Sequence, residues 1–473
     1  MNNFRGVVRR EIYFLSMPLH AWKIRGRAVR ARYQELKKSE MASRSSLRSL
    51  QASRLSQIIH YAYKTCSFYR DRLNSLGISP SDIKDVDDLR KLPLLSKADV
   101  RANLTTGLRP SCFESLNTLK IVTSGSTGEP FTVFADREQL EIRFASTIRA
   151  LEMTGWCFGD RQARLWHQSL GMSKTQVFRE RFDAWLMRRR FIPAFEISPR
   201  NIQTFIADLE AHDPVLLDGY AESLNFLASY LKNGGKSELK PRAVMSSAQA
   251  LPKSTRDVIE SSLNTRVFDK YGSREFSGIA YECTEHAGHH VVDECYIVEI
   301  LVDGRPALPG ETGEVVITDF FNLATPLIRY RIGDLATAVD NSQGCRCGRA
   351  HSMIGEIQGR TQAIVHCSNG TWIPGTFFAH FFKDYDDIIR TFQVHQRMKG
   401  SFSLRIIKGD NFSQRRLERM RKHLAEYVGP TEIGIEFVDE IPLVRTGKRS
   451  PVISEVGEDF QEVDQANLFR RTS

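Results

Sequence analysis

No apolar run in this 473-residue sequence reaches the roughly 18–20 residues that a membrane-spanning helix requires. The opening MNNFRGVVRREIYFLSMPLHAW has a basic stretch and a short apolar one, but no small-residue cleavage site follows. That argues against a secretory signal peptide, and the expected location is the cytoplasm. Internal repeats and low-complexity tracts are missing, which argues against a repeat array or a composition-driven disordered chain. No recognised nucleic-acid-binding module accompanies the net charge of +10, so no specific nucleic-acid partner is expected. One stretch looks like a strand running into a phosphate cradle, IVTSGSTGEP, but it lacks the lysine of the common G-x-x-x-x-G-K-[ST] loop.

What is present is ordinary globular composition, 41% hydrophobic and 26% charged, in a chain long enough for two or three domains. Most of the positive excess sits at the front. Residues 1–39 hold ten Lys and Arg against Glu11 and Glu35, a net +8, interleaved with Phe4, Tyr13, Phe14, Leu15 and Trp22. Such a segment is read either as a solvated helical arm packing on its own domain or as a peripheral contact with an anionic membrane surface. Of the eight cysteines, Cys66, Cys112, Cys157 and Cys295 stand alone, as small core residues do.

From 42 to about 105 the pattern is helical, with SLRSLQASRLSQIIHYAYKTCSFYRDRL at helical spacing and Ser96 as an N-cap after a proline break. Strand-like runs then alternate with amphipathic stretches: LKIVT, PVLLDGY, PRAVMSSAQ and TRVFDKYGS each end in a Gly, Ser or Asp turn. That alternation predicts α/β units with a parallel sheet, whose ligands bind off the carboxyl ends of strands. From about 290 to 340 the runs are β with Gly and Pro turns, which suggests antiparallel pairing. A smaller unit with strands and one basic helix follows. The expected fold class is α/β: a basic N-terminal arm over 1–41, a large domain over 42–360 with parallel-sheet units plus a β subdomain, and a small mobile α+β domain over 361–473.

Thr123, Ser124, Ser126 and Thr127 of TSGSTGEP offer hydroxyls, and Gly125 and Gly128 free backbone N–H groups to approach an anion. Four further segments follow in order: YGSRE (Tyr271 to Glu275), RYRIGDL (Arg329 to Leu335), GRTQAIVHCSNG (Gly359 to Gly370) and VRTGK (Val444 to Lys448). The series resembles the adenylate-forming superfamily of acyl- and aryl-CoA ligases. Within it, the likeness is to the phenylacetate–CoA ligase branch and its relatives in capsular-polysaccharide biosynthesis. IIHYAYKTCSFYRDRL, LRKLPLLSKADVR and YECTEHAGHH carry the same likeness.

The resemblance implies ATP-dependent activation of a small-molecule carboxylate to acyl-AMP and pyrophosphate, then transfer to an acceptor thiol, usually that of CoA. It makes Thr123 to Gly128 the β/γ-phosphate loop and Ser247-Ala248-Gln249 the wall of the adenine. Tyr271 can stack on the base, Gly272 lets the backbone approach, and Ser273 closes that segment. Glu275 is a hard oxygen ligand for Mg²⁺ beside the phosphates. Asp334 resembles the carboxylate that binds both ribose hydroxyls, and Arg360 the arginine near ribose and phosphate. Lys448 resembles the catalytic lysine bridging carboxylate and α-phosphate as charge develops. Two positions depart from the family: Glu129 stands where members carry Lys, and Gln362 where the hinge carries Asp. An amine or a sugar therefore stays open as the acceptor, and two other functions stay open: a nucleotide-binding relative without ligase activity, or a basic membrane-surface adaptor. The acid is not named by any charge pattern; Tyr220 and Ser246 are expected to line its pocket.

Cys283, His286, His289 and His290 fall within eight residues, and Cys345-x-Cys347 lies further along. Thiolate and imidazole are the ligands structural zinc prefers. The expected set is Cys283, Cys345, Cys347 and one histidine, His290 before His286.

Overall fold

The computed structural model describes residues 2–20, 28–123, 131–166, 174–193, 202–360, 364–369, 372–374, 378, 381–382, 385, 387–441 and 452–456. The N-terminal arm forms α1 (Asn2–His20) and α2 (Val29–Ser39), followed by α3 (Arg44–Thr65), α4 (Ser67–Ser75) and α5 (Lys97–Asn103). Tyr13, Phe14 and Met17 of α1 and Val29, Tyr33 and Leu36 of α2 are buried in the same core as the large sheet. The long helical run breaks once, at Cys66, whose backbone is extended (φ −112°, ψ 117°). Ser96 caps α5 as the sequence predicts: its Oγ accepts from the Asp99 N–H at 3.1 Å, and Asp99 Oδ2 accepts from the Ser96 N–H at 2.9 Å.

LKIVT does become a strand, but not one of the parallel sheet. β1 (Thr118–Thr123) pairs antiparallel with β2 (Phe131–Asp136) as a separate two-stranded sheet, with Thr123 opposite Phe131. After α6 (Arg137–Glu152) come β3 (Gln162–Trp166), α7 (Lys174–Leu186), β4 (Arg189–Pro193), α8 (Ile202–His212) and β5 (Leu216–Tyr220). Then follow α9 (Ala221–Lys232), β6 (Ala243–Ser247), α10 (Lys253–Leu263) and β7 (Arg266–Ser273). β4, β3, β5, β6 and β7 pair in that order, all parallel. β5 and β6 are buried at every residue, as expected for strands covered by helices on both faces.

The sheet changes character at β7. Its far edge pairs antiparallel with β8 (Ser277–Glu282). The sheet continues through β9 (His289–Val291), β14 (Met353–Arg360), β13 (Tyr330–Ala338), β12 (Thr312–Asp319), β10 (Tyr296–Val302) and β11 (Arg305–Pro306), making twelve strands. Register shifts interrupt β7–β8 between Tyr271 and Gly272, and β13–β14 on either side of Ala336. Such bulges bend strands and raise local twist. A buried pair ties the layers together: Arg149 Nη1 of α6 meets Glu294 Oε1 at 2.5 Å, and His351 Nε2 lies 3.1 Å from the same carboxylate.

The C-terminal domain has its own core, from Val365 to Val452. β15 (Ile364–His366) pairs with β16 (Trp372–Pro374). β17 (Ile389–Met398), β18 (Ser401–Lys408), β19 (Glu432–Phe437) and β20 (Val452–Ser454) make a four-stranded sheet beside α11 (Gln414–Val428). Leu417, Met420, Leu424 and Val428 recur at helical spacing and are the buried side of that otherwise basic helix.

Candidate nucleotide site and metal centre

β7 ends at the seam between the parallel and antiparallel halves, where a chain can present side chains to a ligand from both. Tyr271 is buried there, and its hydroxyl donates to Asp334 Oδ2 on β13 at 2.8 Å. Asp334 in turn faces Arg360 across the β13–β14 ladder; the Arg360 side chain lies outside the described ones. The structure thus brings three of the expected nucleotide residues to one place. Glu275 follows in the turn after β7. It is buried. A buried carboxylate of this kind suits a hard cation.

Gly272 also has a task in the fold. A Cβ added there would lie 2.0 Å from the Ser277 carbonyl oxygen. The glycine lets β8 fold back closely on β7. Ser273 opposes Ser277 in the same ladder, and its Oγ accepts from the Phe276 N–H at 3.3 Å.

Ser247 ends β6 buried, with a hydroxyl that meets no partner among the described residues. Ala248 follows at φ +67°, a left-handed backbone that costs a non-glycine residue energy and tends to mark ligand-facing turns. Gln249 sits next to it in the same bend. Of the two expected pocket residues, Tyr220 is buried and stacks on Trp166, ring centroids 4.1 Å apart. Ser246 is fully buried in β6. Thr123 closes β1, its side chain outside the described ones; Ser124 to Gly128, Glu129, Gln362 and Lys448 lie outside the described residues.

Lys270 was not among the expected site residues, although a lysine inside the apolar run RVFDKYGS is the signal that could have found it. It is partly buried, with its ammonium 5.7 Å from the Tyr281 ring centroid. Burial pulls its pKa down to about 8; nearby Arg164 acts in the same direction, while Asp218 opposes it.

The cysteines and one histidine do converge. Ligand atoms of Cys283, His290, Cys345 and Cys347 all lie within 4.8 Å of one another. Cys283 Sγ and Cys345 Sγ are 3.7 Å apart, and Cys347 Sγ and His290 Nε2 are 3.4 Å apart. A tetrahedral site with Zn–S bonds near 2.3 Å has sulfur–sulfur edges of about 3.7 Å. The spacing is far too long for a disulfide, whose S–S bond is about 2.05 Å. Burial pushes the His290 pKa down to about 3, and His351 and Arg349 add to the effect. The ring is therefore kept neutral, the form that ligates metal. For Cys347, burial acts upward, but hydrogen bonds from the Arg349 backbone and side chain outweigh it and hold the thiol below its usual range.

His286 is the correction. It stands outside this cluster, with Nδ1 3.3 Å from Glu282 Oε2 and its ring 4.9 Å from that of Phe268. The turn after Cys283 puts His286 at φ +50° and directs it to α10, where Arg256 also pairs with Glu282 at 2.8 Å. His289 is likewise taken, by Asp269 at 3.1 Å and by the Gly355 carbonyl.

Comparison with known proteins agrees with this architecture. The family described as the CapK C-terminal domain matches residues 365–455. The phenylacetate-coenzyme A ligase of Thermus thermophilus is 26% identical over 333 residues, which is 69% of this chain and 73% of that protein. Protein CapK of Staphylococcus aureus is 23% identical over 429 residues, 90% of this chain and 92% of that one. Among solved structures, a 2-hydroxyisobutyryl-CoA ligase in its postadenylation state with 2-HIB-AMP superposes with a TM-score of 0.68 at 18% identity. It covers 89% of this chain and 92% of its own, a likeness of fold.

Proposed function

We propose that this chain, a relative of the phenylacetate–coenzyme A ligases and of CapK with the fold of adenylate-forming ligases, is an AMP-forming ligase. A carboxylate oxygen of a small acid attacks the α-phosphorus of ATP. The new C(O)O–P bond forms as the bond to the bridging oxygen breaks, and pyrophosphate leaves. An acceptor then attacks the acyl carbon and releases AMP. The observation that carries the reading is the junction of Tyr271, Asp334 and Arg360 beside the buried Glu275.

In this reading Tyr271 and the Ser247-Ala248-Gln249 bend hold the base, and Asp334 accepts from the ribose hydroxyls. Ser273 and Arg360 flank the nucleotide. Thr123, Ser124, Gly125, Ser126, Thr127 and Gly128 cradle the departing phosphates. Glu275 would hold Mg²⁺, which would supply neutralisation of phosphate charge. Lys448 stabilises charge at the α-phosphate. Tyr220 and Ser246 line the acid's pocket. Carboxylate-dependent exchange of labelled pyrophosphate into ATP, run over aryl, fatty and amino acids, tests the proposal. If no acid supports exchange while AMP still binds, the second reading wins: a nucleotide-binding relative without ligase activity, which Glu129 and Gln362 favour.

The acceptor is the thiol of CoA, an amine or a sugar. The resemblance to the capsular-polysaccharide branch supports a place in polysaccharide or secondary-metabolite biosynthesis. We further assign Cys283, His290, Cys345 and Cys347 to a structural zinc ion that staples the turn after β8 and strand β9 to the β13–β14 loop. Three thiolates and an imidazole leave no open position for catalysis. None of the helices described is long and apolar enough to cross a membrane. We place the protein in the cytoplasm, with residues 1–39 at a membrane surface.

A further inference from the structure

α1 is two-sided. Tyr13, Phe14 and Met17 face the core, while Val8, Ile12, Leu15 and Leu19, spaced four, three and four residues apart, face outward. Leu15 is 70% exposed and Leu19 84%. α7 repeats the arrangement: Phe178, Phe182 and Trp185 form a stripe at the same spacing, with Phe178 71% and Trp185 65% exposed. Phe182 and Trp185 stack with centroids 5.9 Å apart.

The two helices are bound side by side. The Tyr13 hydroxyl donates to Asp183 Oδ1 at 2.7 Å, and Arg9 Nε donates to the Leu186 carbonyl at 2.8 Å. The Arg9 guanidinium lies 5.9 Å from the Trp185 ring centroid, so one arginine joins the edges of both stripes. Single exposed apolar side chains are common on protein surfaces, but a run of seven across two packed helices is not.

The rim selects the occupant. Arg179 and Arg181 flank the α7 stripe and are exposed. Arg9 of α1 lies beside Trp185, and the first 39 residues carry a net +8. A second copy would bring the same cationic rim against itself. An anionic lipid surface complements that rim, while leucine and aromatic side chains enter the headgroup boundary.

We propose that the paired outward faces of α1 and α7 are a peripheral membrane-docking surface, which inserts Leu15, Leu19, Phe178 and Trp185 into an anionic bilayer. The inference deepens the membrane part of the proposed function and uses none of the residues assigned to the nucleotide.

The experiment is co-sedimentation of the full chain, without ATP, with phosphatidylcholine vesicles containing about 30% phosphatidylserine or none. The chain should pellet with the anionic vesicles, and binding should fall at least about tenfold at 0.5 M salt. Leu15→Glu with Trp185→Glu should lose at least about tenfold in partition. Arg179→Glu with Arg181→Glu should lose binding to anionic vesicles while keeping the apolar stripe. Unchanged far-UV circular dichroism certifies that each variant is folded. Equal pelleting of wild type and both variants, no pelleting at all, or a dimer in sedimentation velocity that Leu15→Glu and Trp185→Glu abolish would each overturn the proposal. Pyrophosphate exchange is read separately, so failure at the membrane leaves the ligase reading standing, and the reverse.

Discussion

The hydroxyl of Tyr271 donates to Asp334 across 2.8 Å, although β8, β9 and β14 lie between their two strands in the sheet. Neighbouring strands are about 4.8 Å apart, so in a flat sheet these two would be separated by about 19 Å. No pair of side chains of this size spans that gap. The antiparallel half therefore curls round until β13 returns toward β7, and the bulges at Tyr271/Gly272 and around Ala336 lie where the curl needs them.

Tyr271→Phe keeps the ring and removes that bond. Stability should fall by about 0.5–1.5 kcal/mol, read from urea unfolding. In pyrophosphate exchange the KM for ATP should rise about three- to tenfold, because Asp334 loses one of the groups that hold it in place. Unaltered stability together with unaltered KM would show that the bond contributes nothing.

Lys448→Ala should cut exchange by about 10²–10³-fold in kcat, the loss expected when a charge that acts only in the transition state is removed. ATP binding by calorimetry should be nearly unchanged. A variant that exchanges as fast as the parent would remove Lys448 from the mechanism.

The thiolate cluster should hold about one zinc per chain by plasma emission analysis of protein purified without chelator. His290→Ala and Cys347→Ser should release the metal and lower the melting temperature. His286→Ala should retain it, since that ring is engaged by Glu282. Equal zinc loss in the His286 and His290 variants would contradict the ligand set.

Lys270 gives a pH signature with a definite sign. Its folded pKa lies at about 8, below the ordinary lysine value of 10.5. Below pH 8 the group is charged in both states, and the folded state bears the full cost of burial. Between about 8 and 10.5 the unfolded chain binds the proton and the folded one does not, so stability rises with pH. Lys270→Met should therefore raise the melting temperature by about 2–4 °C or more at pH 7, and the gain should shrink as the pH approaches 10.5. A gain independent of pH would point to packing rather than charge.

Much of this was legible along the chain, because helix and strand periodicity, caps and turns are local properties. Ser96 as a cap and the inward face of α11 follow from side-chain spacing alone. So does the alternation that builds β5, α9, β6, α10 and β7. α7 and α8 were not anticipated, and both contribute to the layer around the parallel strands. LKIVT read as another parallel strand because an apolar run carries no information about its partner; only the fold sets it against β2.

The sequence by itself determined the order of the nucleotide segments, the thiol-rich composition of the metal centre and the positive charge of the first 39 residues. Tertiary structure alone decided that Tyr271 meets Asp334, that His290 and not His286 joins the three cysteines, and that Gly272 makes room for Ser277. Among the described residues it also left one side of α1 and α7 exposed. The physical reason is common to all four. Local spacing fixes which way a side chain leaves its own helix or strand, but what it meets there depends on strand order, sheet curl and the elements packed above, which are set by contacts between residues far apart in the chain.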